Sequence, residues 1–436
     1  MAGAESACAW GELDEGDLFD ALTELVEKSL VTAERGEGPT RYGMVEPVRQ
    51  YAREKLHDTG EMIEQRDRHG AWVAEHTATA TWTEATDMTV SLPRILFATE
   101  EYANTVEAIR WLVEQADGAS GTEVLGGTSL VFLLNGKYRE GLQLIDRVLE
   151  RHAGEAPARY WLFTYSVYLT LWVGDVEDAW RRLRRAEEMG REVGDALMYF
   201  VTLARATILL TTGGLEEISA ELTEAQEQAE TEGNVLLSNY ATFLLGLQDQ
   251  LLGEYERSIE RLDDAYRAMG HIPVAWVPYT LPNRAISKVM AGHQDASEAV
   301  EEAEVAARQS GDPAAILTAV TARACSAAPE EARIALQEIA ELVRRFGLRG
   351  NFFLAAPTMY AERVGRREVS AHAIGVFRAT SGGRLPAFLA DLESRCCGAM
   401  GDETWEEHVQ IGRAMTGLQV VEEALALPVR DQPTDG

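Results

Sequence analysis

Five short glycine-bearing turns recur along the chain at nearly one period, and this constrains the fold more than any other feature. They are NGKY (Gly136), VGDV (Gly174), TGGL (Gly214), LGEY (Gly253) and AGHQ (Gly292), spaced by 38, 40, 39 and 39 residues. A second series, EVGD (Gly194), TEGN (Gly233), AMGH (Gly270) and QSGD (Gly311), interleaves with the first at 39, 37 and 41. Two turn series at one period predict a helix–turn–helix pair repeated about every 39 residues. Gly at each turn accepts a left-handed dihedral and ends the preceding helix. Five residues after each glycine of the first series lie Gly141, Ala179, Ser219, Ser258 and Ser297, and seven before lie Ser129, Val167, Thr207, Gly246 and Ala285. Small residues at matched positions let paired helices approach closely. No such pair can bury its apolar face alone, so the pairs must stack into one continuous core.

Composition narrows the function. The 436 residues carry 40 Lys+Arg against 71 Asp+Glu, a net charge of −31. That sign repels phosphate backbones and argues against direct nucleic-acid binding. Hydrophobic residues make up 46%, enough for a packed core and far from a disordered acidic chain. Cys8, Cys325, Cys396 and Cys397 form no CxxC pair, which fits a reducing cytoplasm. There is no run of 18 apolar residues and no basic-then-apolar leader, so no membrane association is expected.

Ahead of the repeats, residues 17–30 (DLFDALTELVEKSL) read as an amphipathic helix. LVTAE (30–34) and RYGMV (41–45) flank RGEGPT and read as a β-hairpin, and EPVRQYAREKLHDTGE follows as a helix with Pro47 at its start. Helix, hairpin and helix make the last part of a winged helix-turn-helix. Its recognition-helix position bears Asp17, Asp20, Glu24 and Glu27 against one Lys28, the wrong sign for phosphate contact. The expected boundaries are 1–60 for this partial module, 61–118 for a helical connector, 119–427 for the repeat array and 428–436 for a disordered tail.

Catalytic constellations are not expected. The eight histidines form no HxxxH or HExxH, and there is no GxSxG. None of the four lysines (Lys28, Lys55, Lys137, Lys288) ends a GxxxxGK[ST] loop. We expect no enzyme, no metal and no cofactor.

GEYERS (253–258) and GDVEDA (174–179), with Gly, an acid and then a small residue, resemble the tetratricopeptide repeat. That resemblance implies an all-α helical-repeat solenoid. It places helix-A residues on an inner groove: Trp161, Tyr168, Trp172, Tyr240, Phe243, Gln250 and Tyr279 are the candidate partner contacts. Aromatic side chains there offer large contact area at low entropic cost, suited to a protein, peptide or small-molecule effector. ALTELVEKSLV, RYGMVEPVRQYAREKLHDTGE and RDRHGAWVAEHT look like the segment after the nucleotide-binding core of bacterial STAND-type ATPase regulators. These include LuxR-type transcription factors, antibiotic-pathway activators and cyclase fusions. EEYANTVEAIRWLVEQADG (100–118) resembles the motif opening their repeat region through Asn104, Ala108 and Trp111, with Ala103 in place of the usual acid. GDETWEEHVQIGRAMTGLQVVEEALAL (401–427) looks like that region's end. The resemblance implies a sensor arm controlling an ATPase or DNA-binding module that this sequence lacks, as a fragment, split product or truncated paralogue. The alternatives are DNA contact through the winged-helix remnant, or part of a cyclase or ATPase enzyme whose catalytic module lies on another segment.

Overall fold

The computed structural model describes all residues except 1, 12, 35–39, 79–87, 116–117, 152–155, 194–197, 213–217, 271–275, 349–351, 381–384 and 428–436. The turns at Gly194 and Gly214 and the tail from 428 thus lie outside the described residues. Among the described residues the chain is all-α apart from one two-stranded hairpin. It divides into two compact units, one formed by residues 1–85, 89–128 and 144–158 and the other by 86–88, 129–143 and 159–436.

In the first unit α1 (Ala2–Cys8) and α2 (Glu15–Glu27) precede β1 (Thr32–Glu34) and β2 (Arg41–Gly43). The strands pair antiparallel, with Thr32 opposite Gly43 and Glu34 opposite Arg41. Asp14 caps α2 by accepting a hydrogen bond from the Asp17 backbone N–H at 2.8 Å. Then come α3 (Glu46–Thr59), α4 (Met62–Thr77), α5 (Met88–Glu100), α6 (Tyr102–Glu114) and α7 (Ala119–Thr128). The helix α1 was not anticipated, being too short for a periodic signal. It packs on α4, where Gln65 Nε2 donates to the Ala7 carbonyl at 2.9 Å and Trp10 Nε1 donates to Gln65 Oε1 at 3.1 Å. The motif in α6 packs as its pattern suggests: Ala108 is buried, and the Trp111 indole donates to Asp67 at 2.8 Å. The wing is tied down by Arg41, which donates to the Glu100 carbonyl at 2.9 Å and pairs with Glu101 at 3.0 Å.

The second unit is a tetratricopeptide-like array of antiparallel hairpins. Its helices are α8 (Leu130–Leu134) with α9 (Tyr138–Arg151), α10 (Ala156–Val173) with α11 (Val176–Val193), and α12 (Met198–Thr212) with α13 (Ser219–Thr231), the residues 144–158 of α9 and α10 belonging to the first unit. There follow α14 (Val235–Leu252) with α15 (Tyr255–Met269), α16 (Val277–Ala291) with α17 (Ala296–Ser310), and α18 (Pro313–Ser326) with α19 (Pro329–Phe346). A short 3-10 turn, Phe352–Leu354, leads into α20 (Ala355–Arg363) with α21 (Arg367–Thr380), and α22 (Ala387–Met400), α23 (Asp402–Arg413) and α24 (Gly417–Ala426) end the unit. The described first-series glycines Gly136, Gly174, Gly253 and Gly292 all have positive φ, between 63° and 84°. Gly233 and Gly311 match them in the second series, whereas Gly270 is right-handed at −60°.

The small positions face each other where expected in α14 and α15: Ser258 Oγ donates to the Gly246 carbonyl at 2.8 Å. Gly141 and Ala179 are buried too. Ser219 and Ser297 are exposed instead. The cause at Ser297 is register: α17 begins only at Ala296, after an extra turn over 293–295, so Ala296 takes the buried place.

Ion pairs stitch neighbouring hairpins. Arg308 and Arg323 each contact both Glu304 and Glu338, linking α17, α18 and α19 in a four-membered ring of alternating charge. Arg363 reaches the otherwise unpaired carbonyls at the end of α18, donating to Ala327 at 2.6 Å and Ala324 at 3.3 Å, and also to Cys325. The helices α21 and α23 cross with their backbones in contact. A Cβ at Gly375 would overlap the Val409 carbonyl, and one at Gly412 would overlap the His372 carbonyl. Backbone-to-backbone contact leaves no flexible neighbour to give way. Gly412→Ala should therefore lower unfolding stability by about 1–3 kcal/mol or more, read from urea midpoints, while Gly398→Ala, with open space around it, should change little.

Candidate interaction face of the helical array

The seven residues expected on a groove are all in the second unit, and the structure gathers the six aromatic ones into two clusters, with Gln250 apart from both. In the first, Trp161 is buried, with its ring edge-on to Phe200 at 4.5 Å and 5.2 Å from Tyr165. Half-buried Tyr168 lies 6.2 Å from the ring of Tyr240. The Tyr240 hydroxyl shares a hydrogen bond with Thr207 Oγ1 at 3.0 Å. Phe243 is buried and stacks on Trp276 at 5.3 Å, and Trp276 lies 6.0 Å from Tyr240. These residues come from α10, α12, α14 and the start of α16, so the cluster runs across consecutive helix-A elements. The buried Trp276 indole N–H has no acceptor.

The second cluster is a clasp. The Trp172 ring stacks with Tyr138 at 6.0 Å and with Tyr279 at 5.1 Å, with interplanar angles of 21° and 17°. Both tyrosines turn their hydroxyls to the buried carboxylate of Asp312: Tyr279 to Oδ2 at 2.9 Å, Tyr138 to Oδ1 at 3.5 Å. Asp312 also caps α18, its Oδ1 accepting from the backbone N–H groups of Ala314 at 2.8 Å and Ala315 at 3.1 Å. Burial holds its carboxyl above the usual range, opposed by these hydrogen bonds. Residues 174 apart in sequence are thereby joined. Gln250 bridges α14 to α16, donating to the Asn283 carbonyl at 2.7 Å and to Ser287 Oγ at 2.9 Å.

Trp161, Phe243 and Tyr279 are thus largely enclosed, while Tyr168, Trp172, Tyr240 and Gln250 keep partial exposure. Tyr138, Asp312 and Trp276 were missed by the sequence reading. Asp312 carried a signal, since Asp before Pro313 is a helix-start pattern; Tyr138 stood in the NGKY turn but was read only as a turn residue. A separate open groove of about 420 Å³ lies along α15, α16 and α17, lined by Leu281, Val305, Glu298 and Glu301 among others.

On the N-terminal module, Leu18 is the buried residue of α2, while Glu15, Asp17, Asp20, Glu24 and Glu27 are exposed beside Phe19. The face that a DNA reader would present is therefore acidic.

Residues 2–57 match the winged helix-turn-helix domain family. The N-terminal module is a winged helix-turn-helix domain, and the match takes in α1. Two mycobacterial proteins that carry the provisional name HTH-type transcriptional regulator are similar to the chain, one from Mycobacterium bovis and one from Mycobacterium tuberculosis. Each is 29% identical over 204 residues, covering 45% of this chain and 23% of its own length. The matched stretch thus spans under a quarter of those relatives. A crystal structure of a Signal Transduction ATPase with Numerous Domains (STAND) protein with a tetratricopeptide repeat sensor, from Pyrococcus horikoshii, aligns with TM-score 0.40 and 13% identity over 94% of this chain and 62% of that one. Among the described residues no helix is long and apolar enough to cross a membrane.

Burial pushes the phenols of Tyr165 and Tyr240 up to about 12. An unfolded tyrosine ionises near pH 10, so between pH 10 and 12 only the unfolded chain releases these protons. The stability they contribute is complete below pH 10 and is lost as pH rises toward 12. Denaturation midpoints should fall steadily over that window, and Tyr240→Phe should make the fall shallower.

Proposed function

We propose that the chain is a non-catalytic regulatory scaffold, the sensor arm of a STAND-type bacterial transcriptional regulator or signalling ATPase that works in the cytoplasm. The observation that carries this reading is a winged helix-turn-helix module on the same chain as a helical array with partly exposed aromatic residues. The names of the mycobacterial relatives support a role in transcriptional regulation. The motif around Asn104, Ala108 and Trp111, and the segments resembling the region beyond a nucleotide-binding core, support the STAND assignment. In this reading the array recognises a protein, peptide or small-molecule effector. Recognition biases a partner module by differential affinity for two arrangements of the hairpins.

A second reading, DNA contact through the winged helix, is favoured by the domain family itself. The acidic exposed face of α2 opposes it. The two separate in a mobility-shift assay with duplex DNA at about 50 mM salt, where backbone binding is strongest. The chain alone is expected to leave the duplex unshifted and to turn over ATP no faster than buffer. A shift that weakens with salt would transfer the function to the winged helix, and turnover above buffer would transfer it to catalysis.

A further inference from the structure

We propose that Trp172, Tyr279 and Asp312 form a recognition slot for an aromatic group bearing a hydrogen-bond donor, and that Tyr138 fills this slot as an internal stand-in for the ligand. The slot supplies what such a group requires. The Trp172 ring provides a flat face, and Tyr138 lies nearly parallel to it, 21° off. The Asp312 carboxylate provides the acceptor at the far end of the ring. Tyr279 and two backbone N–H groups of α18 hold that carboxylate in place, so the acceptor is preorganised before any ligand arrives.

Tyr138 is buried, and its hydroxyl meets both Tyr279 and Asp312. Its hydroxyl lies 3.5 Å from Asp312, at the outer limit of a hydrogen bond, whereas Tyr279 lies at 2.9 Å. It is also delivered from far away in sequence, at the head of α9, just after the turn at Gly136 that rests against Pro313. A competing phenol at ordinary hydrogen-bond distance makes a closer bond to Asp312 than Tyr138 does, and it displaces Tyr138 and the Gly136 turn from the start of α18. The slot deepens the scaffold reading by naming a ligand class. Its biological use rests on that reading, but probe binding does not, so the two can fail separately.

Free phenols and tyrosine side chains share this chemistry. The probes are p-cresol for the first and N-acetyl-tyrosinamide for the second, with toluene as the control that lacks a donor. The titration uses the whole chain, followed by calorimetry, with circular dichroism to confirm folding. Self-occupancy lowers apparent affinity by the fraction of molecules in which the slot is open, so affinity for p-cresol should rise from wild type through Tyr138→Phe to Tyr138→Ala, by about tenfold or more overall. On Tyr138→Ala, p-cresol should bind about tenfold more tightly than toluene, because it alone hydrogen-bonds the carboxylate. N-acetyl-tyrosinamide binding as well as p-cresol would assign the slot to peptide tyrosines; p-cresol alone would assign it to small phenols. The proposal is overturned by absent saturable binding to folded Tyr138→Ala, by equal affinity for toluene and p-cresol, or by equal affinity of wild type and variants. Should Tyr138→Ala not fold, Tyr138→Phe decides: p-cresol affinity no higher than wild type overturns it.

Discussion

A lone helical hairpin cannot bury its own apolar stripe, and every other feature of the second unit depends on that constraint. Each hairpin is stable only through the neighbour that covers it, so the contacts between hairpins matter more than those within one. Different junctions meet the requirement differently. The α14–α15 hairpin meets the next one through Ser258, whose hydroxyl shares a hydrogen bond with Ser287 of α16 at 2.9 Å. The junction of α17, α18 and α19 uses an alternating ring of two arginines and two glutamates, which offsets charge locally in a chain of net −31. At α21 and α23 the backbones themselves touch.

Much of this architecture was legible because turns announce themselves. Glycine is the residue that takes positive φ freely, so the helix ends at Gly136, Gly174, Gly253 and Gly292 could be read from residue identity alone. The wing hairpin and α3 were legible through alternation and Pro47. Register within a helix was less so. Whether Ser297 or Ala296 faces inward depends on an extra turn that no local propensity encodes.

The candidate face shows the same division. The tetratricopeptide resemblance placed Trp161, Tyr168, Trp172, Tyr240, Phe243, Gln250 and Tyr279 on helix-A elements, and they lie in α10, α14 and α16. The resemblance gave no information on what each would touch. The pairing of Tyr138 with Asp312 spans 174 residues, and a repeat pattern describes only neighbours. The acidic α2 could be read as such because exposed charge on a short helix needs no tertiary knowledge.

Asp312 holds two posts at once, capping α18 and receiving the hydroxyls of Tyr138 and Tyr279. An ordinary stack of repeats unzips from its ends, one hairpin at a time, because each unit answers only to its neighbours. A stack whose first hairpin is fastened to the start of its sixth has lost that freedom. Fraying of α9 takes Tyr138 away from Asp312, and fraying of α18 takes away the carboxylate that Tyr138 faces. The hairpins between them are thereby bracketed by a contact spanning 174 residues, a long-range constraint that nearest-neighbour stacking does not supply.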